Sequence, residues 1–436
     1  MLTVAPGQPP AQAPRAAGSA WAQISPAARR IILARAARSV GQGALVATFT
    51  LYLHALHWTA PQIGAALSGG LFVGAALTLW IGPLSDRLGR RQFLLGYELV
   101  LMACATLACF TSTPWLLTLA AVLGGFGRGA NGAAGPFGPL EQSWLAHGTP
   151  PAVRAQIFSL NSTLGMLGMA LGAVLGAAPH WLAALLPSHW AYRSLFLLPL
   201  LGSAAGFWLL LLAQDAPSTQ AVTPALLRQT APAQQTPAID PAERHTRENT
   251  LLWRLGLVNA LNGLGIGMVA PLMAYWYLLR YGHGPASIGP ALAASFVCAA
   301  LGAQLAGWLA QRLGVVRTVV GMRSAGLVLL LLTPLSPVFW AAASLYALRA
   351  AANQGTMGVR QALTVSLTGA DRRGLAATVN NVSIQIPRAI GPLVGALLLH
   401  QGWLIAPFLL AVGFQAAYLV LYQRFFRGIE PADAAN

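Results

Sequence analysis

The sequence contains no lysine. All 26 of its basic residues are arginine, and acids are scarcer still, ten in 436 residues, so the net charge is +16. Charged residues of both signs make up 8% of the chain and hydrophobic residues 56%, with a mean hydropathy of +0.61. A soluble domain carries about 25% charged residues, because its surface must be solvated. This chain has too few to cover a water-exposed surface, which excludes a soluble globular protein and leaves a polytopic membrane protein. The lack of lysine beside abundant alanine, glycine and proline fits a GC-rich coding bias and carries no mechanism.

Other absences narrow the function. The three cysteines, Cys104, Cys109 and Cys298, sit inside apolar runs with no C-x-x-C pair, which argues against a disulfide framework or a zinc site. They read as small buried apolar side chains. Neither G-x-x-x-x-G-K-[ST] nor H-E-x-x-H occurs, so no enzyme, metal or cofactor is expected, and any transport should need no ATP of its own. The first residues are rich in Pro, Ala and Gln and lack the apolar core of a secretory signal. They read as a disordered cytoplasmic tail over 1–28.

What the chain does have is long apolar runs. A membrane-crossing helix needs about 20 mostly apolar residues. Twelve such runs lie near 33–56, 62–82, 92–112, 115–140, 155–178, 191–213, 254–279, 287–310, 316–334, 337–359, 374–399 and 402–423. They are too long and too evenly apolar for barrel strands, which alternate. Between the sixth and seventh lies a stretch rich in Pro, Gln and Thr, Gln214 to Thr250, that holds four of the ten acids and reads as a flexible linker. The expected organisation is all-α, with one six-helix bundle over 29–213, a cytoplasmic linker over 214–250, a second six-helix bundle over 251–426 and a tail over 427–436.

The arginines orient the chain. With the N-terminus inside, 21 fall on the inner side and two, Arg193 and Arg280, on the outer side, while Arg128, Arg349 and Arg388 fall within helices. This bias places both termini in the cytoplasm. Arginines strung between apolar runs form no continuous patch for nucleic acid. The partners expected are the lipid bilayer and a small-molecule solute, with the chain a monomer in the inner (plasma) membrane of a bacterium.

The two halves share a pattern. Arg154, Asn161, Gly172 and Gly176 recur as Arg373, Asn380, Gly391 and Gly395 at an offset of 219, which also pairs Gln142 with Gln361. "GPLSDRLG" at Gly82 is echoed by "GWLAQRLG" at Gly307, with Gln311 in the place of Asp86 and Arg312 in the place of Arg87. An internal duplication of six-helix units follows, and such repeats place a substrate site between the halves near the bilayer midplane.

The stretch "GPLSDRLGRR" resembles the loop signature G-x-x-x-D-R-x-G-R-R between helices two and three of the major facilitator superfamily. Gly82, Asp86, Arg87, Gly89, Arg90 and Arg91 match it, in the right loop of a twelve-helix 6+6 chain, and the resemblance covers residues 30 to 425. It implies a pseudo-symmetric two-bundle fold and a conformational latch at this loop that holds the outward-open state, with Glu141 at the inner end of the fourth helix as a further member. "RGANGAAG", with Arg128 and Asn131, resembles the family's helix-four signature R-x-x-Q-G-x-G-A, found in proton-coupled antiporters. The glycine-proline motif those antiporters carry in helix five is absent, since Gly168, Gly172 and Gly176 come without a proline and Gly391-Pro392 lies in helix eleven instead.

In this family helices 1, 4, 7 and 10 line the central cavity. A buried arginine costs a few kcal/mol or more and normally faces a cavity or partner. Arg128, Asn131, Asn259, Asn262, Arg349, Asn353, Asn380, Gln385 and Arg388 are therefore candidates for a substrate or coupling-ion cavity. Glu98 in helix three is the candidate proton carrier, with protons as the coupling ion, and His54 and His57 read as interfacial anchors. The resemblance implies a secondary transporter working by alternating access, with efflux of drugs or metabolites as the first expectation. The arginines favour neutral or anionic substrates, which makes an organic-anion carrier the alternative. A transport-inactive sensor on the same scaffold is the third.

Overall fold

The computed structural model describes residues 24–128, 138–147, 151–213, 241–358, 360 and 373–426. Within these, every regular element is helical. The first bundle comprises α1 (Pro26–Ala55), α2 (Ala60–Leu88), α3 (Arg90–Phe110), a fourth span split into α4 (Pro114–Gly124) and α5 (Gly138–His147), then α6 (Pro151–Leu175) and α9 (Leu197–Leu212). Two short outer helices, α7 (Ala178–Leu182) and α8 (Ser188–Arg193), join the last two spans. The second bundle comprises α10 (Pro241–Val269) continued by α11 (Met273–Tyr281), then α12 (Pro285–Leu313), α13 (Val315–Leu332), α14 (Phe339–Gly355), α15 (Arg373–His400) and α16 (Ala406–Phe426). Among the described residues the chain is an all-α membrane protein of two six-helix bundles.

Local chemistry sets several boundaries. Pro26 at the first turn of α1 lacks the N–H that the turn would leave unpaired anyway, and Ser25 Oγ accepts from the Ala28 N–H at 3.2 Å. The echoed motif ends each time in a glycine at positive φ, Gly89 at 95° and Gly314 at 85°. A side chain there would be strained, and both glycines make the sharp inner corner between the second and third helices of their half. The repeat thus appears as backbone geometry.

The matched glycines of the repeat also do matching work. A Cβ added to Gly172 would sit 1.8 Å from the Val40 carbonyl oxygen, and one added to Gly391 would sit 2.3 Å from the Gly267 carbonyl carbon. Backbone therefore meets backbone between α1 and α6 and, equivalently, between α10 and α15. Membrane helices associate through such small-residue contacts, because lipid gives apolar side chains no reason to prefer protein.

The halves meet through α2 with α15 and α6 with α12. Their contacts concentrate on the outer side. Ser68 Oγ accepts from the Leu393 N–H at 3.0 Å, a Cβ on Gly64 would lie 2.5 Å from the Ala396 Cβ, and one on Gly289 would lie 2.5 Å from the Ala173 oxygen. One apolar cluster there draws on both halves, with Phe49, Tyr52 and Leu53 packed together with Met273, Tyr275 and Trp276. On the inner side the described apolar residues form two separate clusters, one around Leu94, Trp144 and Leu210, the other around Val258, Tyr418 and Phe426. Among the described residues the bundles thus pack together on the outer side and share no apolar cluster on the inner side, an inward-facing arrangement in which Gln304 Nε2 donates to Ser159 Oγ across the halves at 3.5 Å.

Candidate substrate site

A cavity of about 120 Å³, open in part to solvent, lies among α10, α13, α14 and α15. Its polar lining is Asn262, Arg323, Arg349, Asn353, Gln354, Arg360, Asn380, Asn381, Gln385 and Arg388, and Ile266, Ala270, Tyr346, Met357 and Ile384 supply an apolar wall. Among the described residues every lining residue belongs to the second bundle, and no carboxylate is among them.

Among the described residues, neutral groups hold Arg323, Arg349 and Arg388. Arg323, 4% exposed, donates from Nη1 to Asn262 Oδ1 at 2.6 Å, from Nε to Thr356 Oγ1 at 3.2 Å and from Nη2 to the Asn353 carbonyl at 3.5 Å. Its guanidinium lies over the Tyr418 ring, 4.9 Å from the centroid. A guanidinium has five N–H donors, so two remain for a ligand. Arg349 lies 5.6 Å from the centroid of the Tyr346 ring. Arg388 Nη2 donates to the backbone carbonyl of Arg128 at 2.7 Å, a contact that crosses between the halves. Nε of Arg349 and Nε of Arg388 are buried without a hydrogen-bond partner. Arg360 Nη2 donates to Asn259 Oδ1 at 3.0 Å, and Asn259 donates in turn to Asn380 Oδ1 at 3.0 Å and to Ser383 Oγ at 3.2 Å. Among the described residues no ion pair holds Arg323, Arg349 or Arg388.

The first bundle treats its charges differently. Arg38 in α1 forms ion pairs with Glu98 in α3 and Glu141 in α5, and all three side chains are buried. Glu98 also accepts from Ser203 in α9, where Gly206 leaves room for its carboxylate: a Cβ there would lie 2.9 Å from Oε1. The two acids that sequence places in or near helices are therefore both committed to Arg38 and stand apart from the cavity.

The sequence candidates divide accordingly. Asn262, Arg349, Asn353, Asn380, Gln385 and Arg388 line the cavity, and Asn259 braces it through Asn380. Arg128 is buried at the break in the fourth span, beside Gly125 and Gly127 at φ 65° and 74°. Its guanidinium packs against Gly74, where a Cβ would meet Cζ at 3.4 Å, and its carbonyl reaches the cavity through Arg388. Asn131 lies outside the described residues. Of the loop motif, the side chains of Gly82, Asp86 and Arg87 also lie outside them. Arg90 opens α3, and Arg91 donates to the carbonyls of Leu210 and Leu211 at 3.3 and 2.5 Å, tying that loop to the inner end of α9. Glu141 is paired with Arg38, and Glu98 with the same guanidinium.

Sequence reading missed Arg323 and Arg360 as cavity residues, because both fall among arginines that the inner-side bias accounts for. Arg323 in fact lies eight residues into α13, about 12 Å from its inner end at 1.5 Å per residue. The repeat carried a signal: the offset of the echoed loop, 225, pairs Glu98 with Arg323, and the offset of 219 pairs Glu141 with Arg360. Two acids around one arginine in the first half stand where two arginines around asparagines stand in the second.

The inward-facing geometry makes a labelling prediction. In a chain freed of its native cysteines, Asn381→Cys should react with a membrane-impermeant maleimide far faster from the cytoplasmic side than from the outside. Ala396→Cys, at a fully buried outer contact, should resist reagent from both. Equal rates at Asn381→Cys from the two sides would contradict an outer seal.

The profile of the Major Facilitator Superfamily matches residues 31–254 and 255–436. Among curated proteins, similarity of 28% identity links the chain to an uncharacterized membrane protein of Saccharomyces cerevisiae over 141 residues (32% of this chain, 31% of that protein). It is also 28% identical to the gentisate transporter of Corynebacterium glutamicum over 148 residues (34% and 30%) and to the multidrug resistance protein MdtH of Cronobacter sakazakii over 126 residues (29% and 30%). Each match thus spans about a third of the relative's length. Among solved structures, a bacterial homolog of the human lysosomal transporter Spinster, inward-facing and unoccupied, aligns with a TM-score of 0.68 at 14% identity over 92% of this chain and 97% of that one. The human organic anion transporter MFSD10 aligns with a TM-score of 0.58 at 20% identity over 91% and 99%.

Proposed function

Because the chain belongs to the Major Facilitator Superfamily, we propose that it is a secondary transporter of small molecules and that its cargo is a small organic anion, carried by alternating access between the two bundles. The observation that carries this reading is the cavity charge. Three buried arginines face or border one space whose lining, among the described residues, holds no carboxylate. Guanidinium groups in a low-dielectric site are costly unless a counter-charge arrives, and charge-assisted bonds from arginine to carboxylate or phosphate are about twice as strong as neutral ones. The names of the gentisate and organic-anion transporters accord with such a cargo. The similarity to a multidrug resistance protein marks the alternative, but a cationic drug would enter this positive field with no carboxylate in the lining to receive it.

Coupling to protons is part of the proposal. With Arg35 also beside Glu141, the cluster of Arg35, Arg38, Glu98 and Glu141 carries balanced charge when both carboxylates are ionised, and the buried Glu98 is the group we take to exchange a proton during the cycle. Glu98→Gln should then flatten the dependence of uptake on an imposed pH gradient while the folded protein survives. A variant with an unchanged gradient response would remove Glu98 from the coupling.

The transport reading is tested by counterflow. Proteoliposomes preloaded with an unlabelled aromatic carboxylate should accumulate the labelled compound, with no added ATP, and Arg388→Gln should abolish this. Accumulation of organic cations instead, untouched by Arg388→Gln, would overturn it.

A further inference from the structure

The arginines of the cavity are arranged in two levels, and the levels differ in how they are held. The deeper level is Arg349 in α14 and Arg388 in α15. The level nearer the inner mouth is Arg323, braced by Asn262 and by Thr356 one turn below Asn353, together with Arg360, which lines the same space and is linked through Asn259 to Asn380. Arg349 precedes Thr356 by seven residues of α14 and its turn, and Asn380 precedes Arg388 by eight residues of α15, so the levels lie about 10–12 Å apart along the helices at 1.5 Å per residue. Tyr346, Ile266 and Ile384 provide apolar wall in the same space.

Resting on the anion reading above, we propose that the cargo is an organic dianion that bridges the two levels, with one acidic group on Arg349 and Arg388 and the other on Arg323 and Arg360. A single carboxylate can neutralise one level and leaves the buried guanidinium of Arg323, or those of Arg349 and Arg388, without an ion pair among the described residues. Two acidic groups joined by an apolar body satisfy both, and the apolar wall covers the body. Arg323 still has two free N–H donors for this role after its three bonds to neutral acceptors. The bridging ligand gains from two charge-assisted contacts while paying the entropy of association once.

Isothermal titration of the purified, unmodified chain decides it. Succinate, adipate and suberate are each compared with the monocarboxylate of equal carbon number. The expected result is at least about tenfold tighter binding of one dicarboxylate than of its monocarboxylate, with an optimum in chain length set by the distance between the levels. Arg349→Gln and Arg360→Gln, each checked for an unchanged unfolding temperature, should both reduce that dicarboxylate to the affinity of the monocarboxylate. The chain-length series alone suffices should either variant fail to fold. Equal affinity for mono- and dicarboxylates at every length, or an Arg360→Gln variant that binds the dicarboxylate undiminished, would overturn the bridging proposal while leaving an anion carrier in place. Absence of binding by every carboxylate, with binding of organic cations, would overturn the anion reading as well.

Discussion

Replacing Arg38 with methionine is expected to lower the unfolding temperature of the detergent-solubilised protein by more than any single change in the cavity. Arg38 is the common partner of Glu98 and Glu141, and all three are buried. Removing the guanidinium leaves Glu98 without its ion-pair partner and Glu141 with only the neighbouring Arg35. Breaking a buried ion pair in this way costs about 3–5 kcal/mol, whereas replacing all of its members by apolar side chains of similar size is often neutral or stabilising. Arg38→Met should therefore be rescued by adding Glu98→Leu and Glu141→Leu, and tryptophan fluorescence on heating measures both outcomes. A single variant as stable as the native chain would mean that the carboxylates are already protonated, or solvated, without Arg38.

The second large effect is expected at the repeated glycines. Gly172→Val and Gly391→Val place a side chain where the neighbouring helix backbone already stands, 1.8 Å and 2.3 Å from an added Cβ. Overpacking a core usually costs about 1–3 kcal/mol because side chains can shift. Here the obstacle is main chain, which shifts only if α1 leaves α6 or α10 leaves α15, so the cost should reach or exceed the upper figure. Each variant should lose most of its folded yield in size-exclusion chromatography. Gly413→Val, at a site with nothing within 4 Å of an added Cβ, should keep its yield. Normal yield of both inner variants would mean the helices are less closely packed than their backbones indicate.

The fold was readable from the sequence because its causes are local and repeated. Apolar length marks the spans, arginine asymmetry orients them, and the Gly82 and Gly307 motifs announce the two inner corners that Gly89 and Gly314 make. Arg349 and Arg388 were readable as cavity residues because nothing else explains a guanidinium in mid-span. Arg38, Arg323 and Arg360 were not, since the inner-side bias offers a sufficient reason for any arginine near an inner helix end. The pairing of Arg38 with Glu98 and Glu141 joins residues 60 and 103 positions apart, and no helical periodicity reaches that far. That the described lining of the cavity comes from the second bundle was hidden for a related reason. The repeat makes the halves look alike, and the site arises where one offset turns Glu98 into Arg323 and the other turns Glu141 into Arg360. The inward-facing state leaves no trace in sequence, because both states of a carrier use the same spans.

The claim on which the functional account turns is that the cavity selects negative charge. Thermal unfolding of the purified protein with a matched series, in which one aromatic and one aliphatic scaffold each carry a carboxylate, an amide or an ammonium group, measures this directly, since a ligand that binds the folded state raises its stability in proportion to RT ln(1 + [L]/Kd). The account predicts that only the carboxylates raise the unfolding temperature and that Arg388→Gln abolishes the shift. Stabilisation by the ammonium compounds, with the carboxylates without effect, would contradict it.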